Sequence, residues 1–279
     1  MEVFDTPDGL RAWSRAHRAA GRRVGLVPTM GALHDGHLAL VDRAREDADV
    51  VALSIFVNPL QFNRSDDFTS YPRPLDDDLA LCRARRVDAV YAPLAATMYP
   101  DGFQTRVVPG ALAEVLEGAQ RPGHFEGVTT VVAKLFHAAE PDVAVFGQKD
   151  FQQLAIIRRM VADLDMGVTI VPMPIVREAD GLAMSSRNRR LSAAQRAAAA
   201  CVPRSLDAVA AAYDAGVRDV AALVAAGRRV VETEPLARFE HLEIVDGATL
   251  RGGPTAEPGS VAVTAVWFGD VRLIDNRLL

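Results

Sequence analysis

The stretch RVGLVPTMGALHDGHLALVDRAREDADVVALSIFV, residues 23–57, decides the fold. RVGLVPT (23–29) is a short apolar run that predicts a buried strand. A helix follows from about Gly36 to Asp47. DVVALSIFV (49–57) is a second buried strand, rich in β-branched residues and closed by Asn58-Pro59. Strand, helix and strand at these lengths predict a right-handed crossover and a parallel pair. Between the first strand and the helix lies PTMGALHDGH (28–37), with His34 and His37 three apart. At a strand's carboxyl end and a helix start, two imidazoles suit charge stabilisation on a phosphate. A metal pair, an acid/base pair and two solvated loop histidines remain open alternatives; the metal reading needs further ligands, and none stands out at metal spacing.

The alternation continues outward in both directions. TPDGLRAWSRAHRAAG (6–21) predicts a first helix, with Asp5 or Thr6 as cap, Pro7 in the first turn and Gly21 as stop. Helices at about 75–86, 128–138 and 151–164 alternate with strands at 89–93, 143–147 and 168–176. After about Asn188 the texture changes. Alanine-rich helices are expected at 193–215 and 220–233, then strands at 239–246, 260–268 and 271–276, the last two joined by a Gly269-Asp270 hairpin. The fold class is therefore α/β, a parallel sheet followed by a smaller C-terminal α+β domain.

Bulk properties narrow the function. The chain has 279 residues, 49% hydrophobic and 24% charged, with a net charge of −5. That balance argues against nucleic acid as the main partner. Cys82 and Cys201 form no C-x-x-C pair and read as reduced thiols. The N-terminus has early acids and no apolar core of a signal peptide, and no run approaches the roughly 18 apolar residues of a membrane span. A soluble cytoplasmic protein is expected.

Four further segments carry polar groups next to strand ends. SIFVNPLQF (54–62) supplies Asn58 and Gln61, amides that suit a polyhydroxy substrate, or simply a proline-led turn. RPGHFEGV (121–128) places Arg121 and His124 before a helix starting near Gly127; Arg121 suits a carboxylate or phosphate, or is a surface cation. FGQKDFQQL (146–154) brings Gly147, Gln148, Lys149 and Asp150 to a helix start, with Asp150 equally readable as its N-cap; of Gln152 and Gln153 only one can face a cleft. READGLAMSSRN (177–188) holds Ser185, Ser186 and Arg187, a phosphate grip or a hinge loop. Asp76, Asp77 and Asp78 look like a magnesium site, but a helix's first turn prefers acids, so the helix reading leads, with a water-mediated hold on Mg2+ as its extension.

Taken in order, PTMGALHDGH, FVNPLQF, RPGHFEGV, FGQKDFQQL and READGLAMSSRN resemble the pantoate–β-alanine ligase family over nearly the whole chain, through VRLIDN (271–276). The paired His-x-x-His and Met-Ser-Ser-Arg segments are also similar to the signatures of the wider nucleotidyltransferase superfamily, with Arg187 where many of its members have lysine. The resemblance implies a Rossmann-like nucleotidyltransferase domain (1–176), a C-terminal lid domain (177–279) and a homodimer. It implies ATP-dependent joining of (R)-pantoate to β-alanine through pantoyl adenylate, with release of pyrophosphate and AMP, and with Mg2+ accompanying ATP. By matching motifs, Met30, Gly31, Ala32, Leu33, His34, Asp35, Gly36 and His37 form the ATP loop, with His34, His37 and Lys149 catalytic and His37 the proton donor. Gly147, Gln148, Lys149 and Asp150 meet the nucleotide, Lys149 at phosphate and Asp150 at ribose; Val176 meets adenine through its backbone; Met184, Ser185, Ser186 and Arg187 close on the triphosphate. Gln61 and Gln153 bind pantoate, Gln61 also lies by β-alanine, and Asn58 and Arg121 support them. No resident metal ligand is implied. Pro28, Met30 and Phe56 are apolar neighbours expected to pack on the gem-dimethyl group of pantoate. The rival readings are an adenylyltransferase that leaves AMP on its product, an inactive nucleotide-binding regulator and, more distantly, an RNA-charging enzyme.

Overall fold

A computed structural model describes residues 1–63 and 65–279, with residues 65–67 described by backbone alone. The chain divides into two compact units: residues 1–148 with 152–174, and residues 149–151 with 175–279.

The first unit is built on six parallel strands: β1 (Glu2–Phe4), β2 (Val24–Thr29), β3 (Val50–Ile55), β4 (Ala89–Tyr91), β5 (Val143–Gly147) and β6 (Thr169–Met173). Their order is β1-β4-β3-β2-β5-β6. Alternate side chains of each strand enter different layers. Leu26, Ala52 and Ala144 join one apolar cluster with Leu10, Val132 and Ile157 from the helices Pro7–Ala19, His124–Ala139 and Phe151–Asp163. Val27, Leu53 and Val145 join the other, with Val41 and Cys82 from the helices Asp35–Asp47 and Leu75–Ala84. Burial on both faces explains why the strands read as continuous apolar runs.

The chain leaves β2 toward β3 on one side, while β5 flanks β2 on the other. This is the topological switch point. The β2–β5 pairing stops at Leu26 and Ala144, so the carboxyl ends of the two strands run on without pairing to each other. Pro28 lies in that unpaired part of β2, where a missing N–H costs no bond to β5.

In the second unit an antiparallel sheet, β7 (Arg238–Asp246), β8 (Ser260–Phe268) and β9 (Val271–Leu278), packs against the helices Cys201–Asp214 and Val220–Glu232. The hairpin turns at Gly269, φ +62°, and Asp270, as the sequence predicts. The single helix expected at 193–215 is two, Ala193–Ala198 and Cys201–Asp214. Pro203 is the reason: it has no N–H to bond the preceding turn, and it is tolerated in the first turn of the second helix. The last strand of the first unit is also shorter than the expected 168–176. Pro172 is accommodated because β6 is an edge strand, and Pro174 follows its end. Among the described residues no helix is long and apolar enough to cross a membrane. Cys82 and Cys201 are buried free thiols, each pushed up to about 11 by burial, which keeps them in the unreactive thiol form.

Candidate functional site

The loop leaving β2 is shaped by backbone bonds. Gly31 has φ +79°, and a Cβ there would come within 2.8 Å of an Asp78 carboxylate oxygen, so only glycine passes this point. Ala32 N donates to Asp78 Oδ2 at 2.8 Å and Leu33 N to Asp78 Oδ1 at 2.7 Å. Asp78 is 1% exposed. Sequence reading placed Asp78 with Asp76 and Asp77 as a helix start or magnesium holder. The structure separates them: Asp76 and Asp77 are exposed, while both oxygens of Asp78 clamp the loop. Ala32 and Leu33 are themselves buried, and their N–H groups, bonded to Asp78, set the path of the loop.

The loop ends one residue earlier than the sequence suggested. The helix is Asp35–Asp47, with His34 as its N-cap and His37 inside the first turn. His34 Nδ1 accepts from Gly36 N at 3.1 Å. A ring nitrogen that accepts an N–H carries no hydrogen, so the neutral His34 ring holds its hydrogen on Nε2 and presents it as a donor. The rings of His34 and His37 lie 4.1 Å apart, tilted by 37°. Two imidazoles and the positive end of a 13-residue helix thus meet at the switch point, beyond the carboxyl end of β2.

A second cluster follows β3. The turn Pro59–Gln61 is held by Asn58, whose bonds are all internal. Its Nδ2 donates to Gln61 Oε1 and to Gly127 O, both at 3.0 Å. Its Oδ1 accepts from Tyr99 Oη at 2.7 Å and Leu60 N at 3.3 Å. Burial pushes the Tyr99 phenol well above its usual range, which keeps it a donor. Asn58 is 1% exposed and is saturated. Its effect is to fix the Gln61 amide: Oε1 accepts from Asn58, so Nε2 is the donor, bonded to Met30 Sδ at 3.1 Å. Arg121 Nη2 donates to Gln61 O at 3.1 Å, and His124 Nδ1 donates to the same oxygen at 2.8 Å. Arg121 and His124 therefore brace the Gln61 backbone. His124 opens its helix, four residues earlier than expected, because Gly123 takes φ +79° before it. Gln152 is likewise occupied, bonding Leu112 O, Val115 O and Glu117 N at 2.8, 2.8 and 2.9 Å. The Gln153 amide, half-buried, makes no hydrogen bond among the described residues. Phe56, expected against the substrate, is 6% exposed and belongs to the core.

Gly127 makes this cluster possible. A Cβ on it would lie 2.3 Å from Leu60 O and 2.7 Å from Gln61 N. Gly127→Ala is expected to push the 59–61 turn away, costing about 1–3 kcal/mol of stability and displacing the Gln61 amide, with a raised KM for any substrate that the amide contacts. Thermal unfolding and substrate titration check this; unchanged values in both would contradict it.

In the second unit, Lys149, Ser185, Arg187, Asn188 and Arg272 line one open cleft. Lys149 and Asp150 lie in a short 3-10 turn that runs straight into the helix Phe151–Asp163, so Asp150 continues the turn and does not cap the helix. Among the described residues the Lys149 ammonium meets no carboxylate. Ser185 caps the 3-10 turn Ser186–Arg190 by accepting from Arg187 N at 3.2 Å, and its hydroxyl hydrogen remains to be donated. Met184 N donates to Val176 O at 2.9 Å, joining the two ends of the 176–184 hairpin.

That hairpin is tied by charges the sequence reading did not single out. Arg177 grips Asp275 through two bonds, 2.7 and 3.0 Å, and Arg196 bridges Glu178 and Asp180. Arg196 holds both carboxyls below their usual range. A lowered folded-state pKa adds stability above the unfolded value and loses it as pH falls through the folded one. Arg196→Gln is therefore expected to melt earlier than the parent at pH 7, with the gap shrinking toward pH 3. A gap that is constant with pH would contradict the assignment.

Open parallel strands at a switch point and a helix start carrying two imidazoles place the chain among α/β folds suited to phosphate groups. A family model described as pantoate-beta-alanine ligase matches residues 2–278. The pantothenate synthetase of Geotalea daltonii is 50% identical over 279 residues, covering 100% of this chain and 99% of that protein. Among solved structures, a pantothenate synthetase from Thermus thermophilus matches with a TM-score of 0.93 and 45% identity, over 100% of this chain and 99% of its own. A pantoate-beta-alanine ligase from Francisella tularensis, solved with beta-gamma ATP and beta-alanine, matches with a TM-score of 0.80 and 31% identity, over 100% and 97%. The chain belongs to the pantoate–β-alanine ligase family, ATP-dependent ligases that join pantoate to β-alanine.

Proposed function

We propose that the reaction runs through an acyl adenylate of (R)-pantoate. The pairing of His34 and His37 at a helix start carries this reading, because such donors suit charge growing on phosphate oxygens. A pantoate carboxylate oxygen attacks the α-phosphorus of ATP, the bond to the bridging oxygen breaks, and pyrophosphate leaves. The amine of β-alanine then attacks the acyl carbon, AMP departs with the carboxylate oxygen, and the amine loses a proton. No protein nucleophile is required; positioning and charge neutralisation supply the catalysis.

The motifs shared with the family and the bonds described above support these roles. His34 Nε2–H and His37 donate to phosphate oxygens, with His37 the proton donor, and Lys149 neutralises the departing pyrophosphate. Met30, Gly31, Asp35 and Gly36 shape the nucleotide's side of the loop, with Ala32 and Leu33 as its buried anchor. Gln61 Nε2 and Gln153 orient pantoate, and Gln61 also serves β-alanine; Asn58 and Arg121 hold Gln61. Gly147, Gln148 and Asp150 meet the nucleotide, Asp150 at ribose. Val176 meets adenine through its backbone N–H, its carbonyl being bonded to Met184. Met184, Ser185, Ser186 and Arg187 take the triphosphate. ATP and β-alanine as ligands are supported by the Francisella relative's complex. Mg2+ enters as the ATP chelate; Asp76 and Asp77, exposed hard oxygen donors, suit a water-mediated contact with it, whereas Asp78 has no oxygen to offer. A cytoplasmic homodimer completes the proposal, and sedimentation reads its oligomeric state.

The test is product analysis. With pantoate, β-alanine and ATP, the reading requires one AMP and one pyrophosphate per amide formed. ADP and inorganic phosphate would replace the adenylate with an acyl phosphate and overturn it.

A further inference from the structure

Residues 149–151 pack with the second unit, although Gln148 and Gln152 on either side belong to the first. Two contacts hold this short segment. The Phe151 ring lies against Gly247, where an added Cβ would sit 3.6 Å from it. Asn276 Nδ2, from β9, donates to the Lys149 carbonyl oxygen at 3.0 Å across 127 residues of chain. Asn276 is 2% exposed, a depth at which an amide is normally retained for a bond it makes. Its neighbour Asp275, 3% exposed, accepts the Arg177 fork, and Arg177 Nη1 also donates to Gly181 O at 2.9 Å. Asp275 further accepts the Asn276 N–H at 2.8 Å. One dipeptide of β9 thus fixes the backbone under Lys149 and the base of the hairpin that carries Met184–Arg187.

We propose that Asn276 is a positioning residue for the ligase reaction, setting the place of the Lys149 ammonium by holding the Lys149 backbone. It touches no substrate and acts through Lys149. The inference rests on the reading of Lys149 as the phosphate-neutralising cation. A lysine on four rotatable carbons depends on its anchor point, and a shift of about 1 Å in a charge-stabilising group can cost up to about a hundredfold in rate.

A double-mutant cycle separates this role from a structural one. The readout is pantoate-dependent exchange of labelled pyrophosphate into ATP, with thermal unfolding alongside. Asn276→Ser, too short to reach the carbonyl, is expected to slow exchange roughly tenfold. In a Lys149→Ala background the same change is expected to have no further effect. Asn276→Asp keeps the volume and loses the donor, so it carries the test if the serine variant does not fold. Its exchange is expected to recover relative to the parent as pH falls and the carboxyl regains a hydrogen to donate. Parental exchange in both Asn276 variants would overturn the inference, as would an equal loss with and without Lys149. Parental exchange in Lys149→Ala alone would overturn the reading of Lys149 and the inference with it.

Discussion

His37→Ala is expected to slow pantoate-dependent pyrophosphate exchange by roughly a hundredfold or more, the loss typical of one transition-state donor. His37 sits in the first turn of the Asp35–Asp47 helix with its ring 4.1 Å from that of His34. His34 cannot replace it, because Gly36 N–H already fixes the His34 hydrogen on Nε2 and leaves one donor there. Folding should survive, since His37 is half-buried and outside both apolar clusters of its unit. On the proposed role of Gln61 in holding pantoate, pantoate affinity should hardly change, because the Gln61 side-chain amide is set by Asn58 and its backbone by Arg121 and His124. The signature is a fall in kcat with little movement in KM for pantoate. Near-parental exchange in a folded variant would remove His37 from the chemistry.

Lys149→Ala is the second large effect, again about a hundredfold or more on exchange, here with a raised KM for ATP. Lys149 is one of two lysines among 31 basic residues, the other being Lys134. A compact ammonium at the 148–150 turn, facing no carboxylate among the described residues, suits a phosphate oxygen, which is the role proposed for it. Lys149→Arg tests the shape requirement: a planar fork on a longer stem is expected to restore only part of the rate. Full activity in Lys149→Ala would leave the neutralisation to Arg187 and the histidines.

His37 and Lys149 stand out as candidates in the sequence because their signals are local. His-x-x-His follows an apolar run and opens a helix, and Gly-Gln-Lys-Asp follows another run directly. The groups that set their geometry were not legible, for a physical reason. Asp78 clamps a loop 45 and 46 residues away, and its position in a helix's first turn gave it a sufficient local explanation. Asn276 and Asp275 act across 127 and 98 residues, from a strand whose sequence reads only as a strand. Asn58 and Arg121 were visible as polar groups, but only the folded turn reveals that their bonds go to Gly127 and Gln61. The parallel sheet was legible from apolar periodicity. β1 was missed because three residues carry no period, and the split at Pro203 was hidden by the alanine run around it.

The proposed adenylate requires the pantoate carboxylate to be bonded to the α-phosphorus before the amide forms. Pantoate labelled with oxygen-18 in its carboxylate tests this in one turnover with ATP and β-alanine. One labelled oxygen is expected in the phosphate of AMP. Unlabelled AMP, with the displaced oxygen found in water or in a phosphate other than that of AMP, would contradict it.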